Sequence, residues 1–195
     1  MEYSQERFVK ALAEHLKKLQ FLEKTDTVAL NREISSVACI FNINSWALGL
    51  PEYEYAGRDE AHISGHEWLY DMVCYRYDNE HYALNDTILV MESEWKGKRY
   101  ASNGQDGNDP YGEVKYDFQK LLLANADVKL MVYRYHKENY GGGDSIQQYF
   151  QRRIDNYRQG RVSDLYLFAC YSSAGKGKLK CTVSSYTRVR GWKEL

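Results

Sequence analysis

The sequence feature that most restricts the possible folds of this chain is an apolar run that ends in two acidic residues. Residues 87–91 read Thr-Ile-Leu-Val-Met, and Glu92, Ser93 and Glu94 follow directly. A short, nearly continuous apolar run is typical of a strand at the centre of a sheet, buried on both faces. Because side chains alternate along a strand, Glu92 and Glu94 are predicted to share one face. The fold must therefore accommodate two carboxylates at the end of a buried strand.

The elements around this strand predict an α/β fold, with a mixed central sheet flanked by helices. Apolar periodicity and turn residues set the approximate bounds. We expect helices over residues 4–23, 27–48, 114–125 and 144–159, with Asp144 or Ser145 as the cap of the last, and strands over 68–75, 87–91, 128–135, 165–171 and 179–186. An additional early strand within 52–64 stays open.

Composition indicates one compact domain. A chain of 195 residues, 44% of them hydrophobic, is long enough to bury a core without disulfides. We predict a single domain over 1–195, with N-terminal helices in 1–50, a catalytic core in 66–135, and a C-terminal helix and hairpin in 144–195. Its four cysteines lack CxxC spacing, its charged first residues are typical of an amphipathic helix, and no apolar run is long enough to span a membrane, so we expect no signal peptide. A cytoplasmic protein with no membrane partner is expected.

Charge is unevenly distributed along the chain. Residues 1–128 carry 13 Lys and Arg against 22 Asp and Glu, whereas residues 129–195 carry 13 against 5. The two parts have net charges of −9 and +8, although the whole chain has only −1. This pattern suggests an acidic site beside a basic surface, but two differently solvated faces would produce it as well. The 18 tyrosines fit half-buried strand and interface positions, so a homodimer is also compatible with the sequence.

A third acid points to the same region as the strand-end pair. Asp71 interrupts the apolar segment 68–75 and precedes Glu92 by a short connection, so the two strands are expected to be neighbours. Buried carboxylates that lie together repel one another and resist loss of water. A hard divalent cation such as Mg²⁺ or Mn²⁺ relieves both costs. Asp71, Glu92 and Glu94 are therefore predicted to converge on a metal site, with two solvated strand-end acids as the alternative.

A lysine is predicted beside these acids. Lys120 belongs to the segment that follows the strand and opens the next helix, and we place it near the N-terminal turn of that helix. From there its ammonium group would lean over the carboxylates and orient or activate a water molecule. The alternative is an ordinary solvated lysine on an amphipathic helix.

These residues resemble the motif of the PD-(D/E)XK nuclease superfamily. Asp71 matches its first Asp and Glu92 its second acid, while Glu94 stands where the usual Lys would be, giving an ExE form. Lys120 fits members that carry the lysine on the following helix. No Pro precedes Asp71, which is a second departure from the pattern. The resemblance implies a restriction-endonuclease-like core of order α-β-β-β-α-β, and it covers about residues 27–135.

The resemblance further implies a metal-dependent nuclease that hydrolyses phosphodiester bonds. Asp71 and Glu92 would bind Mg²⁺ or Mn²⁺, with Glu33 from the preceding helix as a further metal ligand. Lys120 or Glu94 would position the attacking water, and DNA is the expected partner. The alternative is a nucleic-acid-binding or protein-interaction module that has kept this fold and lost catalysis.

Overall fold

In a computed structural model, the chain is described for residues 4–22, 54–57, 69–78, 80–81, 83–95, 109–135 and 145–195, with backbone only at 54–57, 77–78 and 83. Its three helices there are α1 (Gln5–Lys18), α2 (Gly112–Leu123) and α3 (Ile146–Asn156). Its strands are β1 (Phe21–Leu22), β2 (Glu54–Gly57), β3 (Met72–Asp78), β4 (Ala83–Glu94), β5 (Val128–Arg134), β6 (Leu165–Ser173), β7 (Lys178–Thr187) and β8 (Gly191–Glu194). The predicted mixed α/β fold is confirmed.

The eight described strands form one mixed sheet. Seven of them follow the order β1-β7-β6-β5-β4-β3-β2, and β8 pairs with β7, which is also the partner of β1. Strands β2, β3 and β4 form an antiparallel meander. Strands β4, β5 and β6 are parallel, and β7 returns antiparallel to β6. Because parallel neighbours need a crossover, α2 connects β4 to β5 and α3 connects β5 to β6. The residues at 87–91 thus lie in the interior of the sheet, as their apolar run predicts.

Helix α1 covers one face of the sheet. Its apolar positions recur at intervals of three and four, which places Phe8, Leu12 and Leu16 in one buried stripe. They belong to the same core cluster as Met91 and Leu130 in the central strands. The helix ends at Lys18, earlier than predicted, because the chain turns extended there and the following residues join the sheet as β1.

Helices α2 and α3 cover the opposite face through aromatic contacts. The ring centroids of Phe118 and Phe150 are 4.5 Å apart, and Phe150 stacks on Phe168 of β6 at 4.7 Å. Helix α3 begins with a capping box, in which the Ser145 hydroxyl accepts from the Gln148 amide and the Gln148 side chain accepts from the Ser145 amide. Of the two predicted caps, Ser145 is the one that fills this role.

A buried ion pair joins β5 to the start of β6. The Lys129 ammonium lies 2.8 Å from Asp164 Oδ2 and 5.0 Å from the centre of the Tyr166 ring, and both charged side chains are almost fully buried. The Arg161 guanidinium pairs with the other oxygen of Asp164 at 3.1 Å. Each of the two buried charges is therefore partnered, which is the condition for tolerating them in a core.

Some predicted elements differ from those observed. The open early strand exists as β2, whereas β1 and β8 carried no recognisable strand signal of their own. The predicted helix over 27–48 lies outside the described residues. Within the described part of the chain, no helix has the length and apolar character needed to cross a membrane.

Candidate active site

The hairpin of β3 and β4 positions the first two acids. Met72 pairs with Met91, and the next step along this antiparallel register places Asp71 opposite Glu92. The Ser93 amide donates a hydrogen bond to Asp71 Oδ2 at 2.8 Å, which anchors the Asp71 side chain at the end of the ladder. Asp71 thus lies immediately before β3, rather than inside it as predicted.

Both acids point toward α2. Val73 of β3 and Val90 of β4 belong to the core cluster on the α2 side of the sheet. Since side chains alternate along a strand, Asp71 and Glu92 lie on this side too. Glu94 is on the same face of β4 by the same rule, and it is partly exposed at the strand end.

Lys120 approaches Glu92 from α2. Its ammonium donates to Glu92 Oε2 at 3.2 Å and lies 2.9 Å from Asp117 Oδ1, one helical turn earlier. Three ionisable side chains from β4 and α2 therefore meet at one point. The charge of Asp71 also acts on Glu92, since it is one of the causes that raise the Glu92 pKa.

The predicted position of Lys120 within its helix is wrong. Helix α2 starts at Gly112, so Lys120 lies in its last turn rather than near its first. The Asp109 side chain accepts from the Tyr111 amide, and the Asp109 carbonyl accepts from the Gly112 amide, which starts the helix earlier. The positive potential of a helix N-terminus therefore does not act at Lys120. Its charge partners are the two carboxylates instead.

Glu92 is the most unusual group in this cluster. Its side chain is 1% exposed, and within the described part of the chain its Oε1 atom has no hydrogen-bond partner. Burial and, next, the charge of Asp71 raise the pKa of Glu92 to about 8, although Lys120 opposes the change. Without a further cation, this carboxyl group therefore holds its proton near neutral pH.

The neighbouring groups respond to the same environment. Burial lowers the pKa of Lys120, but its hydrogen bond to Asp117 and the charges of Glu92 and Asp117 outweigh burial and raise that pKa above its usual range. The group is thus a permanent cation and does not serve as a base. Burial, followed by the charge of Glu92, also raises the pKa of the Tyr70 hydroxyl.

The donor set fits a hard cation in part. The Glu92 Oε1 atom is a buried oxygen acceptor that a metal ion would satisfy, and Asp71 lies opposite on the same face. Among the residues that the structure describes, however, no group of three or more His, Cys, Asp or Glu is arranged to hold a metal ion. Glu33, the predicted additional ligand, lies outside the described residues.

The structure thus brings together Asp71, Glu92 and Lys120 and adds Asp117, which sequence reasoning overlooked. Its spacing of three residues from Lys120 was the available signal, because residues i and i+3 of a helix are neighbours. The signal is weak alone, since many surface helices contain such pairs.

No family model, no curated protein and no solved structure matches this chain. The function must therefore be argued from the residues of the site.

Proposed function

We propose that the protein is a nuclease that uses Mg²⁺ or Mn²⁺ to hydrolyse phosphodiester bonds in DNA. The observation that carries the proposal is the environment of Glu92. A buried carboxylate with one oxygen unpartnered, a second acid opposite and a fixed cation on its other oxygen is costly to maintain for stability alone. Strongly perturbed acids of this kind are concentrated at functional sites.

The two oxygens of Glu92 suggest a division of roles. Oε2 accepts from Lys120, whereas Oε1 is available to a metal ion that Asp71 would also hold. A bound divalent ion would supply a Lewis acid for the phosphoryl oxygen and an acidic water molecule. Lys120, as a permanent cation, would hold a phosphate oxygen or the attacking water by hydrogen bonding. Glu94, at the exposed end of β4, is our second candidate for positioning that water.

The order of elements supports the proposal. The β2-β3-β4 meander, the α2 crossover and the parallel strand β5 follow in the order β-β-β-α-β. This is the order expected of a restriction-endonuclease-like core, and the acids occupy the β3–β4 hairpin where the family motif requires them. We therefore propose that fold type for this domain.

A basic surface on the same side of the sheet favours a polyanionic substrate. Leu179 and Cys181 of β7 belong to the core cluster under α1, so Lys178 and Lys180 project to the opposite face, where Glu92 also lies. Both lysines are exposed. Exposed cations on this face would contact backbone phosphates of a bound DNA without reading its sequence.

Cleavage of DNA by purified protein tests the proposal. We expect supercoiled plasmid to be nicked or linearised with Mn²⁺ or Mg²⁺, and we expect EDTA to prevent cleavage. Asp71→Asn and Glu92→Gln should each abolish it, since each removes a charge that the metal needs. Glu194→Gln, at an exposed carboxylate on β8, is the matched control and should cleave like wild type. Activity that persists in Glu92→Gln would contradict the proposal.

One observation favours the second candidate, a nucleic-acid-binding module without catalysis. The Lys120 ammonium already contacts both Glu92 and Asp117, and the described residues contain no group of three or more His, Cys, Asp or Glu that could hold a metal ion. DNA binding that weakens steeply with salt, together with no cleavage at any tested concentration of Mn²⁺, would support this candidate over the nuclease.

A further inference from the structure

Asp117 has a contact that the roles above do not use. Its Oδ1 atom lies 2.9 Å from the Lys120 ammonium, a shorter distance than the 3.2 Å from that ammonium to Glu92 Oε2. The Asp117 side chain is only 14% exposed, so its carboxylate is largely shielded from solvent. Hydrogen bonds between charged groups in such surroundings are roughly twice as strong as neutral ones.

Lys120 needs such a restraint to stay at the site. Its side chain is 32% exposed and consists of a flexible four-carbon stem, so solvent competes for its ammonium group. Glu92 alone is the weaker anchor, because its Oε2 atom lies 3.2 Å from the ammonium, whereas Asp117 Oδ1 lies 2.9 Å from it. Asp117 is one helical turn from Lys120 on the same side of α2, and a bond between them fixes the direction of the lysine stem.

We propose that Asp117 is a positioning residue that holds the Lys120 ammonium over Glu92, so that the lysine is in place before substrate binds. The catalytic importance of this arrangement rests on the proposed nuclease function. The restraint itself does not, and a separate measurement tests it.

The chain contains a matched control for that measurement. Lys115, on the same helix, pairs at 2.7 Å with Asp109, which lies six residues earlier and before the helix begins, and the Lys115 ammonium lies over the Tyr149 ring, not beside Glu92. Brief acetylation with a limiting amount of an N-hydroxysuccinimide ester, read by peptide mass spectrometry, reports how freely each lysine reacts. The Asp117→Asn change is isosteric, and circular dichroism verifies that the fold is retained.

We expect Asp117→Asn to raise the acetylation rate of Lys120 at least about tenfold, because a hydrogen bond to a charged group contributes that much or more to holding the ammonium. Lys115 should react at its wild-type rate. Asp109→Asn should give the reverse pattern, and Asp117→Glu should restore slow acetylation of Lys120. Equal acetylation of Lys120 in wild type and Asp117→Asn would overturn the positioning role.

Cleavage kinetics test the catalytic consequence. If the wild type cuts DNA, Asp117→Asn should lower kcat about tenfold or more with little change in KM, and Asp117→Glu should recover most of the loss. An unchanged kcat in Asp117→Asn would overturn the catalytic part of the inference. If the wild type cuts no nucleic acid, the proposed function fails, and the acetylation pattern still decides whether Asp117 restrains Lys120.

Discussion

Replacing Glu92 with Gln should make the protein more stable at alkaline pH. Gln has nearly the same shape, still offers an oxygen to Lys120, and carries no charge. In wild type, the buried carboxyl group is ionised above pH 8 in both the folded and the unfolded chain, and burial makes that charge costly only when the chain is folded. The variant removes this cost.

The pKa sets the magnitude and the sign. Each pKa unit corresponds to about 1.4 kcal/mol of folding free energy. Since the Glu92 pKa rises from its ordinary 4.5 to about 8, the ionised side chain destabilises the folded protein by at most about 5 kcal/mol. Local relaxation and water penetration reduce this limit, so we expect Glu92→Gln to gain about 2–4 kcal/mol at pH 9. Between pH 4.5 and 8 the folded protein holds a proton that the unfolded chain has released. The free energy of unfolding therefore falls as pH rises from 4.5 to 8. Above pH 8, Glu92 causes no further change in it.

Urea denaturation of wild type and variant, between pH 4 and pH 9 without divalent ions, measures the effect. The difference in unfolding free energy between the two proteins isolates Glu92, because the other titrating groups are common to both. It should grow with pH and level off above pH 8, with a gain in Tm of about 5–10 °C at pH 9. Glu194→Gln on β8 should show no such trend. A difference that is independent of pH would refute the reasoning.

Other perturbations give separate tests. Mn²⁺ at millimolar concentration should raise the Tm of wild type, and the gain should be larger at pH 8 than at pH 6 because binding requires ionised Glu92. The gain should be absent in Glu92→Gln, and equal gains in both proteins would rule out this metal site. Asp164→Ala should lower the free energy of unfolding, measured by urea denaturation, by about 3–5 kcal/mol, because it leaves the buried Lys129 without its carboxylate. The double variant Lys129→Met with Asp164→Leu should lose much less, because it removes both buried charges. Charge reversal of Lys178 and Lys180 to Glu should weaken DNA binding in a fluorescence anisotropy titration and flatten its salt dependence, and unchanged affinity would remove β7 from the binding surface.

Within the described residues, local patterns predicted most of the helices and strands. The run before Glu92 predicted the buried strand, because apolar residues on both faces fit only the interior of a sheet. Strand β1 was not predictable, since the interval of three from Leu19 to Leu22 continues the helical pattern. Phe21 instead packs against Trp95 and Tyr171, at centroid distances of 5.8 and 5.2 Å, and these contacts are distant in sequence.

The site shows the same division between local and distant information. Alternation along β4 and its short connection to β3 were sufficient to place Asp71 beside Glu92. The helix start that determines the position of Lys120 depends on side-chain bonds of Asp109, which the apolar pattern does not contain. Asp117 was overlooked because its pairing with Lys120, three residues later, indicates a site only once the fold places Glu92 of the sheet beside the same ammonium group.

The placement of α1 has a consequence for the order of folding. Helix α1, which covers one face of the sheet, lies far in sequence from the strands that it packs against. For example, the Tyr171 hydroxyl donates a hydrogen bond to the Leu16 carbonyl, 155 residues away. Contacts so distant in sequence form slowly, because a long loop must close before they contribute. The crossovers of α2 and α3 are local by comparison and should form first. In pulsed hydrogen exchange during refolding, amides of β5 should therefore gain protection before those of α1.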